Sequence, residues 1–406
     1  MIPAFNIENF VSKEITHRSE SLMNADFKDF DSALKDKINK RCVLVIGGAG
    51  TIGSSYIKEL LRYNLNELYV FDLNENGLTE LVRDLRSSDG LNLPKELITY
   101  PIDFTSHIAE KIFVKHGPFD IVANFAAHKH VRSEKDIYSI EAMLENNVIK
   151  NRKLLDLLLK YPPEHFFCVS TDKAANPANI MGASKKLLEE LLLSFSNDLN
   201  VTTARFANVA FSNGSLPLGF LERANKHQPW SCPLNIKRFF VSPKESGEIC
   251  LFASVMGNSG DIFFPKLDPE KDMVAFSSIA IDLLRYWELE PDICSTEGEA
   301  RMKALELTEN SKRYPIYFFE SDTSGEKPYE EFFTEKEELD LISFKNLGRI
   351  SNPKKQKICE IDQIIESLQT LFMNKEITKK HVIQTLGKYI STFDHIEMGK
   401  NLDQRM

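Results

Sequence analysis

Residues 43–61 read VLVIGGAGTIGSSYIKELL, and this stretch constrains the fold more than any other. An apolar, β-branched run stops at Gly47, Gly50 and Gly53, and an amphipathic helical pattern begins among those glycines. A strand must therefore turn tightly into a helix. Glycines at that turn let the backbone approach a ligand closely, and the N–H groups of the helix N-terminus, around Thr51 and Ile52, are donors for a diphosphate. The same alternation recurs: CVLVIGG, ELYVFDL, LITYPID, IVANFAA, FFCVSTD and VTTARFANV are short apolar runs separated by helical stretches. Runs of this kind predict a parallel sheet covered on both faces, the doubly wound α/β Rossmann arrangement.

The rhythm weakens after Asn208, which divides the chain. Residues 1–40 read as a helical extension, 41–212 as a dinucleotide-binding Rossmann domain and 213–335 as a mainly substrate-binding region. PIYFFE is a further strand there. Residues 336–406 read as a helical C-terminal extension with two helical patterns separated by NKEIT, Thr378 capping the second.

Charge and cysteine content narrow the function. With Lys+Arg 50 against Asp+Glu 59, the net charge of -9 provides no basic field for nucleic acid or an anionic membrane. The six cysteines form no CxxC pair and have no neighbouring histidine, so no metal site is expected and the thiols read as reduced. The N-terminus lacks a signal-peptide pattern, and no run approaches the roughly 18 apolar residues of a spanning helix. A cytoplasmic protein is the expectation.

Several strand ends carry candidate ligand contacts. Asp72 closes the second strand, where a carboxylate accepts hydrogen bonds from an adenosine ribose and repels a 2′-phosphate. That favours NAD, while Asn74 beside it leaves room for NADP. Asp103 and Phe104 end the third strand near the expected adenine. Asn124, Ala126 and Ala127 end the fourth with small residues, so the cofactor can pass close to the backbone, and Lys129 and His130 follow as cations or donors for anions.

The fifth strand delivers Ser170, Thr171, Asp172 and Lys173 to its carboxyl end, where open α/β sheets do their chemistry. An adjacent acid and base there precede a helix carrying Met181 and Lys185 on one face. A hydride-transfer enzyme of the short-chain class has a tyrosine where Met181 stands, and a thioether cannot titrate.

STDKAANPANIMGASK, preceded by NFAAHKHV and followed by ARFANVAFSNGS and GEKPYEE, resembles the polysaccharide-biosynthesis branch of the extended short-chain dehydrogenases/reductases. The resemblance spans roughly residues 41 to 335 and is to nucleotide-sugar 4,6-dehydratases acting on UDP-N-acetylglucosamine, in the retaining group with Met in place of Tyr. It implies oxidation at C4, loss of water across C5 and C6 and hydride return to C6, with NAD or NADP regenerated. In that scheme Lys173 removes the C5 proton, Asp172 protonates the departing 6-hydroxyl, and Lys185 grips the nicotinamide ribose. The first proton leaves through Thr171 to Asp172. On the substrate side the candidates are His130, Asn208, Ser215, Arg238, Glu326 and Lys327. Asn213 stands where many relatives show an arginine, and SDTSGEK replaces their arginine-proline before Gly325. The nearest alternatives are a nucleotide-sugar epimerase and a catalytically silent dinucleotide-binding regulatory module. By analogy a homo-oligomer is expected.

Overall fold

The computed structural model describes residues 5–321 and 324–398. Six strands follow in chain order: β1 (Cys42–Ile46), β2 (Glu67–Asp72), β3 (Glu96–Pro101), β4 (Ile121–Asn124), β5 (His165–Val169) and β6 (Val201–Ala204). They pair in parallel in the order β3-β2-β1-β4-β5-β6. This is the expected doubly wound Rossmann sheet. The strand order reverses between β1 and β4, and a crevice opens at their carboxyl ends.

Both faces of the sheet are covered because successive side chains point to opposite sides. Val43, Val45, Leu68, Val70, Ile121 and Ala123 belong to one core cluster. Leu44, Ile46, Tyr69, Phe71 and Val122 belong to the other. On the first face, helix Thr51–Leu60 packs against helix Pro243–Met256 so closely that a Cβ on Gly247 would meet the Ser55 carbonyl at 2.5 Å. On the second face lies helix Ile180–Ser194, joined by the C-terminal helices Ile358–Phe372 and Lys379–Tyr389 through Ile361, Leu368, Val382 and Leu386.

The expected division at residue 212 does not coincide with the end of the sheet. After β7 (Asn208–Val209), β8 (Trp230–Pro233) and β9 (Lys237–Val241), strand β10 (Ile262–Pro265) returns to pair in parallel with β6. Its apolar IFFP run is buried throughout, as suits an interior sheet position. Next come β11 (Met273–Ala275), β12 (Glu290–Cys294), β13 (Arg313–Phe319), β14 (Leu339–Asp340) and β15 (Leu347–Ile350). Strand β15 pairs antiparallel with β10 and β14 with β15, completing nine strands. The start of the C-terminal extension is thus sheet, with helix only from Ile358; Thr378 does cap the last helix. Strand β13, read from PIYFFE, lies between β8 and β12 in a small sheet, and β7, β9 and β11 form another. These sheets cover the crevice around a third core containing Phe220, Trp230 and Ile279.

The run VTTARFANV is not one strand. Arg205 interrupts it: fully buried, it donates to both carboxylate oxygens of Glu189 at 2.9 and 2.8 Å and to both of Glu337. The N-terminal extension is helical, as expected, over Ile7–Phe10, Val11–Ile15, Asn24–Asp29 and Asp31–Ile38. It is tied down by Arg18, 2.8 Å from Glu245, and by buried Asp26, which accepts from the Lys345 and Asn346 backbone. All six cysteines are free thiols.

Candidate active site

A cleft of about 620 Å³ lies at the carboxyl ends of β1, β4 and β5, beneath the small sheets. The glycine loop forms one wall. Gly47 has φ +76, and a Cβ there would meet the Ala126 backbone nitrogen at 2.6 Å. A Cβ on Gly53 would meet the Gly47 carbonyl oxygen at 2.3 Å, whereas one on Gly50 meets that oxygen only at 3.4 Å and otherwise enters open space. The first and third glycines are therefore required by the turn, and the second leaves room for a ligand. Thr51 and Ile52 line the cleft too, the Thr51 hydroxyl accepting the Asn213 N–H at 3.0 Å.

Supporting residues hold this cradle. Asp72 does not line the cleft; it accepts from the Ala49 and Asn74 N–H groups at 3.0 and 2.9 Å and so fixes the glycine loop. The Asn74 side chain accepts from Gly77 N–H and caps helix Glu75–Ser87, which gives it a structural task apart from a 2′-phosphate. Asp103 is paired with Lys150 and accepts from Thr105; although burial opposes it, these partners hold its carboxyl below the ordinary range. Phe104 is buried in the core. Asn124 shapes the loop after β4, accepting from Ala126 N–H at 2.9 Å and donating to Asn151. Ala127, Lys129 and His130 face the cleft. Burial lowers the proton affinity of Lys129; burial followed by Lys129, Arg132 and His128 lowers that of His130.

The acid–base cluster forms the floor. Asp172, 2% exposed, accepts at one oxygen, Oδ1, from Thr171 Oγ1 at 2.9 Å and from Lys173 N and Nζ at 2.9 and 3.0 Å. Thr171 and Lys173 themselves line the cleft. Three donors thus converge on one carboxylate oxygen. The sequence scheme needs this oxygen pair to begin as a proton acceptor and to become an acid only after taking a proton. Helix Ile180–Ser194 brings Met181 and Lys185 opposite the glycines. Lys185 Nζ donates to the Val169 carbonyl at 3.1 Å, and burial lowers its pKa against the pull of Cys168 and Glu189.

On the substrate side, Asn208, Ser215, Arg238 and Glu326 line the cleft. Ser215 caps helix Leu216–Asn225. Arg238 is already engaged: Nη1 donates to the carbonyls of Lys237, Lys327 and Pro328 at 2.8, 3.0 and 3.2 Å, and Nη2 faces Glu326 and Glu330. Lys327, the remaining substrate-side candidate, donates from Nζ to the Asn176 carbonyl, and its side chain does not line the cleft. Two charged lining residues that the sequence reading gave no role are Arg223 and Glu330. Arg223 projects from helix Leu216–Asn225, four residues after Gly219 whose carbonyl it bonds, and its charge was indistinguishable from a surface arginine. Glu330 lies inside the GEKPYEE run but was given no role there; it is 4% exposed and lies 3.9 Å from Lys173 Nζ. Burial raises its pKa, while Lys173 and Arg238 oppose the rise.

The described residues contain no group of three or more His, Cys, Asp or Glu able to hold a metal ion, and no helix long and apolar enough to cross a membrane. The chain is 29% identical over 367 residues to an uncharacterized membrane protein of Methanocaldococcus jannaschii, covering 87% of this chain and 97% of that one. It is 24% identical over 387 residues to the capsular polysaccharide biosynthesis protein CapD of Staphylococcus aureus, covering 92% of this chain but 59% of CapD. It is 25% identical over 242 residues to an inverting UDP-N-acetylglucosamine 4,6-dehydratase of Campylobacter jejuni, covering 57% of this chain and 69% of that enzyme. Its fold matches the X-ray structure of Pen from Bacillus thuringiensis with TM-score 0.62 at 21% identity, over 82% of this chain and 98% of that one. The model of the family described as polysaccharide biosynthesis protein matches residues 43–352, and the chain belongs to that family.

Proposed function

We propose that this chain is a retaining UDP-N-acetylglucosamine 4,6-dehydratase that yields UDP-2-acetamido-4-keto-2,6-dideoxyhexose. The observation that carries the reading is the Thr171–Asp172–Lys173 cluster at the end of β5, facing the glycine cradle across the cleft. A NAD or NADP bound in that cradle supplies a transient oxidation at C4, which acidifies the C5 proton, and the matching reduction at C6. Gly50 leaves room for its diphosphate, Gly47 and Gly53 make the turn, the loop is fixed by Asp72, and Lys185, which lines the cleft, would hold the nicotinamide ribose.

The residues then account for each proton. Thr171 receives the proton of the 4-hydroxyl and passes its own to Asp172 Oδ1, the oxygen it already bonds. No tyrosine is required, so Met181 is tolerated. Asp172, now protonated, donates to the departing 6-hydroxyl, which leaves as water, while Lys173 takes the C5 proton and, as an ammonium whose hydrogens exchange with solvent, delivers one back to C5. The acid thus ends as it began, a carboxylate, and the lysine ends neutral. A proton returned by the residue that removed it reaches the same face of C5, which is retention. The dehydratase identity of the Campylobacter relative supports the reaction class, and a role in surface-glycan or nonulosonate formation follows from the product. The test is to incubate purified protein with UDP-N-acetylglucosamine without added reductant and to analyse the product by mass spectrometry. Loss of one water with a trappable ketone is expected; unchanged sugar, or a C4 epimer of equal mass, would refute the proposal.

A further inference from the structure

Asp172 already provides Lys173 with a counter-ion 3.0 Å away, and Glu326 lies 3.9 Å from Arg238. A second buried carboxylate, Glu330, nevertheless sits between those two cations, 3.9 Å from Lys173 Nζ and 3.8 Å from Arg238 Nη2. Removing a carboxylate from water is costly unless its partners repay it, so the position needs a reason beyond filling space. Its anchor is rigid, because three backbone carbonyls fix the Arg238 guanidinium. The other charged groups around the pair are Lys327 on the same loop and, across the cleft, Lys129 and Lys185. None of these is a carboxylate. Glu330 is thus a second carboxylate beside Lys173, brought from a loop distant in sequence from its chain neighbour Asp172.

We propose that Glu330 is a positioning residue for Lys173: anchored by Arg238, its carboxylate aims the amine into the cleft and stabilises the ammonium formed when Lys173 takes the C5 proton. This inference rests on the dehydratase reading. In the step concerned the C5–H bond breaks and the proton bonds to Lys173 nitrogen. The C–H electron pair becomes the C5–C6 double bond as the C6–O bond breaks, and the hydroxyl leaves as water with the proton from Asp172. Glu330 gains and loses no atom. Its part is that of the residue which orients a general base and balances the charge the base acquires.

The experiment is a single turnover of UDP-N-acetylglucosamine by the holoenzyme in deuterated water, followed by nicotinamide absorbance and by deuterium at C5, over a range of pH. In Glu330→Gln the reduced nicotinamide should form at a rate within about 3-fold of the unaltered enzyme, while C5 deprotonation slows by on the order of 10²-fold. Removing a negative neighbour also disfavours the Lys173 ammonium, so the pH limb of the elimination step should move to lower pH even as its plateau falls. Glu330→Asp, which keeps the charge, should keep the limb in place. Unaltered elimination in Glu330→Gln, or equal loss of C4 oxidation and elimination, would overturn the positioning role. If Glu330→Gln does not bind dinucleotide, Glu330→Asp decides: a slower elimination at unchanged KM supports the role, and a wild-type rate overturns it. Absence of both reduced nicotinamide and C5 deuterium in the unaltered enzyme would overturn the dehydratase reading itself, and this inference with it.

Discussion

Replacing Arg205 with methionine should destabilise the protein by a pH-dependent amount. The guanidinium makes five hydrogen bonds, two to Glu189, two to Glu337 and one to the Phe332 carbonyl, and both Arg205 and Glu189 are fully buried. Without Arg205, Glu189 keeps the Ser170 hydroxyl at 2.7 Å and a distant Lys186 at 3.8 Å. Removing one partner of a buried pair costs about 3–5 kcal/mol because the other charge is left uncompensated. The sign with pH follows from Glu189. In the unaltered protein burial raises its pKa but Arg205 outweighs burial and holds it below the ordinary 4.5. Its stabilising contribution is therefore present above that value and is lost as pH falls through the lowered folded-state pKa. In Arg205→Met burial governs, the folded-state pKa lies above the ordinary one, and the carboxyl costs nothing when protonated. Its cost grows as pH rises past 4.5, by about 1.4 kcal/mol for each unit by which the pKa is raised. Denaturant unfolding followed by circular dichroism should thus show a deficit that is largest near neutrality and narrows on acidification. A second variant, Arg205→Met with Glu189→Leu, should recover much of the loss. A deficit below about 1 kcal/mol, far under the 3–5 expected, or one unchanged between neutral and acid pH, would refute the reasoning.

Other expectations are more local. Gly53→Ala places a Cβ 2.3 Å from the Gly47 carbonyl oxygen, so dinucleotide affinity, measured by calorimetric titration, should fall by at least about 10-fold, equal to 1.4 kcal/mol; an unchanged Kd would contradict the cradle. Thr171→Val should slow C4 oxidation by roughly 10²–10⁴-fold, as loss of a proton carrier does, whereas Met181→Leu, a near-isosteric apolar exchange, should cost less than about 1.5 kcal/mol in stability and leave the pH profile unchanged. Equal kinetic defects in the two variants would remove Thr171 from the proton route. Deleting residues 393–406 removes backbone bonds from Gly325, Asp394 and Ile396 that tie the cleft loop and the segment before Met181 together. At about 0.5–1.5 kcal/mol each, their loss should raise KM more than it lowers kcat in steady-state assays, and an unchanged KM would show that the tail does not hold the cleft.

Period and position made much of this molecule legible. The strands β1 to β5 follow from apolar runs ended by turn residues, and the glycine spacing located the crevice because a turn that tight tolerates little else. The break at Arg205 was hidden, since a charged residue in an apolar run reads as an exposed strand position until its partners Glu189 and Glu337 are brought to it from 16 and 132 residues away. The return of β10 and β15 to the sheet was equally hidden, because strand pairing over such separations leaves no periodic trace. At the site, Thr171, Asp172 and Lys173 were visible because they are adjacent in sequence. Glu330 was not: a carboxylate in a charged loop looks solvated, and only the fold places it against Lys173. Asp103 and Lys327 carry the expected charge at the expected strand or loop, but their partners, Lys150 and Thr105 for the one and the Asn176 carbonyl for the other, were not legible in the sequence.

The central claim is internal redox dehydration with the Asp172–Lys173 pair moving the protons. Its most direct test is proton NMR of UDP-N-acetylglucosamine incubated with the purified protein in deuterated water without added reductant. The account predicts a growing 6-methyl signal, one deuterium at C5 and retained C5 configuration, all abolished in Lys173→Ala. A bound dinucleotide with no change in the sugar protons, or a methyl signal that persists without Lys173, would contradict it.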